Sequence, residues 1–188
     1  MDSPADLYRL LNNLIRFGTV AEVDGSHCRV QSGEVLTDFL PWLALAAGDA
    51  LEWSAPTTGE QVVVLSPEGD LSGAVVLRGL YSNRYPTPVT DPAIYLRQYP
   101  DGAQISYNSR THALAAILPT GATAVLTADG GVTINGPLAV NGNVTIEGNT
   151  EISGTANAQT DVVGAGISLK DLAHGGVQPG GGNSGPPA

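Results

Sequence analysis

Few side chains in this sequence of 188 residues can do chemistry, and their spacing narrows what that chemistry would be. The chain has three histidines (His27, His112 and His174) and one cysteine, Cys28. A metal site needs imidazoles, thiolates or carboxylates that converge on one point. His27 and His112 have no partner at metal-ligand spacing, so the plain reading makes them structural or exposed. His174 precedes Gly175-Gly176, and no other histidine lies near it in the sequence. As a lone histidine, His174 too reads as structural or solvent-facing. One cysteine excludes a disulfide within the chain. No residue carries a catalytic or organic-cofactor signature.

The charges point the same way. Formal net charge is −10, and 14% of residues are charged. Such acidity disfavours a nucleic acid or anionic membrane held by charge. No run is apolar for long enough to span a bilayer, and residues 1–17 lack the apolar core of a signal peptide.

The elements that must position these residues start with a helix. Ser3 is placed as N-cap, Pro4 at the first helical position and Asp6 in the first turn. Leu7, Leu10, Leu11, Leu14 and Ile15 share one face, and Gly18 is expected to end the helix. That face docks either on its own domain or on a larger assembly. From residue 17 to 81 the period changes to two, with strands expected at 17–23, 28–31, 35–39, 61–65 and 74–80. Asp24-Gly25 and Ser32-Gly33 are turn pairs. Five short strands with one long mid-connection fit a small OB-type Greek-key barrel. OB barrels that bind single-stranded nucleic acid need a basic groove with stacking aromatics. Here Arg29 and Arg78 face nine acidic residues over 17–81, and Trp42 and Trp53 read as core or interface residues. No nucleic-acid partner is expected.

Residues 82–92 hold Pro86, Pro88 and Pro92 and read as a linker. Strands are expected again at 94–98, 103–107, 113–118 and 122–127. Then glycine recurs at 130, 136, 142, 148 and 154, every sixth residue. Between these glycines lie the pairs Val132/Ile134, Leu138/Val140, Val144/Ile146 and Thr150/Ile152. Alternating β-branched residues with regular glycines predict a ladder of very short strands with one apolar edge. No amphipathic helix follows to cover that edge, and short hairpins are marginal alone. Copies of the chain wound about one axis would cover it, as a trimeric β-helix or β-prism; the alternative is a single-chain β-sandwich. A six-residue glycine period also occurs in hexapeptide-repeat acyltransferases, where a histidine is the general base. That fold stacks three hexads per coil, so four hexads give barely more than one. The aliphatic residue here also precedes glycine by two places rather than one. The Gly/Pro-rich tail after His174 reads by composition as disordered.

Several segments together carry a family resemblance. They are Phe17-Gly18-Thr19-Val20-Ala21-Glu22-Val23-Asp24, Leu40-Pro41-Trp42-Leu43, Trp53-Ser54-Ala55-Pro56 with Gly59-Glu60-Gln61-Val62, and Ser66-Pro67-Glu68-Gly69-Asp70. To these add Asp101-Gly102 before Tyr107, Leu118-Pro119-Thr120-Gly121, and the tail Gly166-Ile167-Ser168-Leu169-Lys170-Asp171 through Pro179-Gly180-Gly181-Gly182 to Ser184-Gly185-Pro186-Pro187. In this order they resemble baseplate assembly protein V, the central membrane-piercing spike family of contractile-tailed phages and R-type pyocins.

The resemblance implies an all-β homotrimer: an N-terminal helix (1–16), an OB-fold domain (17–81), a linker (82–92), a β-strand stalk with an intertwined triple-stranded β-helix (93–170), and a pointed Gly/Pro-rich apex (171–188). It implies a structural spike, not an enzyme, at the tail baseplate tip of a virion or pyocin particle, made in the bacterial cytoplasm. Baseplate and tail-tube hub proteins would be its partners, and sheath contraction would drive it through the target's outer membrane. In the family, a His-x-His pair from each chain surrounds one iron ion on the trimer axis. Here His174 matches the second position and Leu172 replaces the first. Three copies of His174 could hold iron with water completing the shell, or Leu172 could make an apolar plug. A trimeric receptor- or carbohydrate-binding tail adhesin is the competing function. An adhesin tip should carry exposed aromatics, and none follows Tyr107.

Overall fold

The computed structural model describes residues 3–170 and divides into two units, Met1–Val125 and Leu126–Ala188. The first unit begins with helix α1 (Pro4–Asn13). The Ser3 hydroxyl accepts from the Asp6 N–H (3.2 Å), and the Asp6 carboxylate accepts from the Ser3 N–H (3.3 Å), which closes a capping box. The helix stops at Asn13, three residues before the expected limit at residue 16. Arg16 explains the early stop: its guanidinium donates to Asn13 Oδ1 (2.8 Å), Ser32 Oγ (3.0 Å) and the Ser32 carbonyl (3.1 Å), which fastens the chain to the sheet.

Strand β1 (Ile15–Asp24) follows at once. Gly18 therefore lies inside a strand rather than at a helix end. A Cβ there would overlap Val30 Cγ1 and sit 2.9 Å from the Gln31 carbonyl oxygen, so β1 can cross β2 closely only with glycine at this position. β2 (His27–Ser32) returns antiparallel through a turn at Gly25, which has φ +53°. β3 is Val35–Leu36 and β4 is Leu40–Pro41. The strand expected over 35–39 is cut short because Thr37 turns back: its N–H donates to the Val30 carbonyl, and its hydroxyl accepts from the Val30 N–H. β5 (Gln61–Leu65) and β6 (Val75–Leu80) complete the set.

The pairings close on themselves. β1 pairs with β2 and β5, β2 with β4, and β5 with β6. Trp42, just after β4, bridges Val76 of β6 in parallel. This is a small closed barrel with the OB order, and its interior holds Val20, Cys28, Val30, Leu40, Val62, Val64, Ala74 and Val76. Burial of these mostly branched side chains is the main stabilising term. α1 meets the barrel at the 3-10 turn Pro67–Gly69. Gly69 has φ +74°, and a Cβ there would come within 2.6 Å of Leu10 Cα. Only glycine lets the helix backbone approach so closely.

A three-stranded antiparallel sheet follows, made of β7 (Ile94–Gln98), β8 (Gln104–Asn108) and β9 (Ala113–Ile117). The Asn108 side-chain oxygen accepts from the N–H groups of Arg110 and Thr111 and shapes the β8–β9 turn, where His112 has φ +58°. In the second unit, the only strands among the described residues are β10 (Val163–Gly164) and β11 (Ile167–Ser168), joined through Ala165 and Gly166 at positive φ. The strands expected over 122–127 and along the glycine hexads do not form within one chain. A strand needs a hydrogen-bonded neighbour, and these segments have none among the described residues. Among the described residues the protein is thus mostly β with one N-terminal helix and an OB-type domain.

Candidate functional site

No catalytic constellation assembles among the described residues. Cys28 is fully buried in the barrel, where burial raises its thiol pKa. His27 pairs with Pro41 on the barrel wall, and its Nδ1 lies 3.0 Å from the Ser26 hydroxyl. His112 sits in a turn of the three-stranded sheet. The structure therefore does not bring these two histidines into a site, and His174 and Leu172 lie outside the described residues. No group of three or more histidine, cysteine, aspartate or glutamate side chains with metal-binding geometry occurs among the described residues.

One open cavity of about 520 Å³ lies in the first unit. Leu45, Glu52, Ser54, Glu60, Arg78 and Arg97 are among the residues that line it. Its charges are already matched. Arg78 is paired with Glu60 (2.9 Å) and also donates to the Ser54 carbonyl; Arg97 meets Glu52 at 3.3 Å. Glu60 accepts in addition from the Thr57 N–H at 3.0 Å. Such a network fastens the long 43–57 connection to β6 and leaves no free acid, base or nucleophile to act on a substrate.

What is chemically unsatisfied is apolar surface. Val132, Ile134, Leu138, Val140, Val144, Ile146 and Ile152 are each 54–68% exposed. From residue 118 to 170 no side chain is buried, and charge is sparse: Asp129, Glu147, Glu151, Asp161 and Lys170 are the charged residues. The regular hexads place these aliphatic pairs along a segment that has no cover of its own. Exposed apolar series of this kind mark surfaces made for association.

The 126–170 segment ends in an ordered clasp. Asp161 accepts from the Ser168 hydroxyl and from the N–H groups of Lys170 (3.2 Å) and Val162 (2.8 Å). The Ser168 hydroxyl is the largest cause holding this carboxyl below its usual range. The β10–β11 hairpin so fixed immediately precedes residues 171–188. Sequence reasoning did not single out Asp161, because its partners are set by the hairpin register, in which Val163 stands opposite Ser168.

Two comparisons bear on this arrangement. Residues 16–81, which contain the closed barrel, match the family described as Type VI secretion system/phage-baseplate injector OB domain. The chain is also similar to the protein described as "Spike protein" of Escherichia phage P2, with 45% identity over 132 residues. That match covers 68% of this chain and 61% of the relative, so the chain spans about three fifths of the length of the relative it matches.

Proposed function

Given that the chain belongs to the baseplate V and spike family, we propose that it is the central spike of a contractile-tail baseplate, assembled as a homotrimer. The family is structural rather than enzymatic. The observation that carries the proposal is the hexad ladder, with seven aliphatic side chains more than half exposed and uncovered by any of the described residues. Three copies wound about one axis would turn these side chains inward. Each chain would hydrogen-bond to its neighbours, giving the triple-stranded β-helix that one chain cannot form.

The spike would sit on baseplate and tail-tube hub proteins at the tip of a phage or pyocin tail. Sheath contraction would drive it through the target's outer membrane. A piercing tool must be stiff and non-adhesive, and a segment of small and aliphatic residues without exposed aromatics fits that task better than a carbohydrate-binding tip. At the apex, three copies of His174 would offer three neutral imidazoles, a donor set suited to iron. With Leu172 in place of a second histidine, the six-imidazole set is absent and water would complete the shell. His174→Ala in the purified protein would remove the bound metal while leaving the chain trimeric.

The position in the particle tests the function. A gold-labelled copy of the full chain, incorporated into tails and viewed by electron microscopy, is expected at the centre of the baseplate. Label on peripheral fibres would instead support the adhesin.

A further inference from the structure

The outside of the barrel carries an apolar face that the OB fold does not require. In β5, Val62 and Val64 point inward and are fully buried, so Val63 and Leu65 point outward. Register places Phe17 beside Val63 and Val63 beside Leu77; it places Ile15 beside Leu65 and Leu65 beside Val75. Two cross-strand rows, Phe17–Val63–Leu77 and Ile15–Leu65–Val75, therefore form one wall without a charge. Ile15 and Phe17 are 65% and 66% exposed. A barrel wall facing water would alternate apolar inside with polar outside, and this one does not.

The same domain carries a second apolar surface, on a loop. The loop over residues 43–53 is pinched by a bridge between Ala47 and Leu51 and by the Glu52 N–H donating to the Ala46 carbonyl. It carries Leu45 at 90% exposure, Leu51 at 80% and Trp53 at 66%. Loops that face solvent rarely present such a series.

We propose that, in the homotrimer, the 43–53 loop of each copy packs on the β1–β5–β6 wall of the next copy, so that the three barrels close into a ring. The inference rests on the trimer proposed above and says which surfaces join the barrels. Symmetry supports it. A surface repeated by a three-fold axis meets a different surface on its neighbour, so the ring needs two unlike, complementary patches on every chain. This chain has both, a loop and a sheet face, both apolar.

Size supports a tethered copy rather than a free partner as the occupant. At about 60–120 Å² for each well-buried side chain, the six side chains of the wall and the three of the loop give an interface of roughly 500–1,100 Å² in total, below the ~1,600 Å² typical of a stand-alone complex. A contact of that size holds when the rod already keeps the copies together at high effective concentration.

The test uses the full chain with two substitutions, Phe17→Cys and Leu51→Cys, treated with a short bismaleimide. The native Cys28 is fully buried and does not react. The expected result is covalent dimer and trimer on denaturing gels from the double variant, with each single variant staying monomeric there. A double variant that is trimeric by native mass yet yields no linked species overturns the ring contact and leaves the trimer standing. A monomeric wild-type chain overturns both. As a second variant, Leu45→Asp with Leu51→Asp alters two side chains that are almost fully exposed in the single chain, so the barrel still folds. In the trimer it is expected to raise the maleimide reactivity of a cysteine placed by Phe17→Cys at least tenfold, because the loop no longer covers that side chain; unchanged reactivity would contradict the contact.

Discussion

Ile146→Asp probes the rod most sharply. Ile146 is 60% exposed in the single chain, so the substitution costs an isolated chain little. In a three-fold rod the same position repeats three times around the axis. Each isoleucine would contribute about 1.5–2 kcal/mol on burial of its remaining surface. Each aspartate would lose that and add a desolvation penalty of several kcal/mol for its carboxylate. Three carboxylates about 7 Å apart would repel by a further ~2 kcal/mol per pair at an effective dielectric of 20. The combined effect is more than about 10 kcal/mol per trimer, or at least seven decades in the association constant. Protonation of the aspartates would lessen the repulsion but not the lost burial. Size-exclusion chromatography with light scattering should show a monomer whose barrel retains its β circular-dichroism signal. Ile146→Val, which removes one methylene per chain at about 1 kcal/mol each, should remain trimeric. A soluble Asp variant with unchanged trimer mass and melting temperature would refute the inward-facing ladder.

Further outcomes follow from the described residues. Gly18→Ala forces a methyl group into Val30 and the Gln31 carbonyl. It should destabilise the barrel by about 1–3 kcal/mol in chemical denaturation. Arg78→Met leaves the largely buried Glu60 carboxylate without its partner and frees the Ser54 carbonyl. A loss of about 2 kcal/mol is expected, with faster hydrogen exchange over residues 54–60. Asp91 is held low first by the Arg110 guanidinium and then by the Ala93 N–H, and Asp161 first by the Ser168 hydroxyl. Their folded pKa values lie below the unfolded value of about 3.9. The stabilisation each gives is therefore complete above that pH and is lost as pH falls through the folded value. Carboxyl titration followed by NMR should give both midpoints below that of a free aspartate.

The OB domain was legible from sequence because its strands alternate cleanly. The limits expected for 61–65 and 94–98 match the observed strands, and the turns at Gly25 and Gly33 carry the positive φ that glycine permits. The Ser3 cap and Pro4 start were equally local signals. Gly18 misled because a glycine after an amphipathic run reads as a helix end, while its actual constraint is the closeness of β2, a contact distant in sequence. The early stop at Asn13 depends on Arg16 reaching Ser32, which is likewise non-local. The apolar rows outside the barrel became visible only once register set Phe17 beside Val63 and Val63 beside Leu77. The hexads showed that the segment needs cover, and the described residues supply none. Of the candidate site, His174 and Leu172 were readable as residue types alone.

Native mass spectrometry of the full chain tests the central claim most directly. The account predicts one species at three times the 19.2 kDa chain mass, persisting on dilution. A monomer at 19.2 kDa would contradict it, because the exposed ladder would then need another explanation and the rod would not exist.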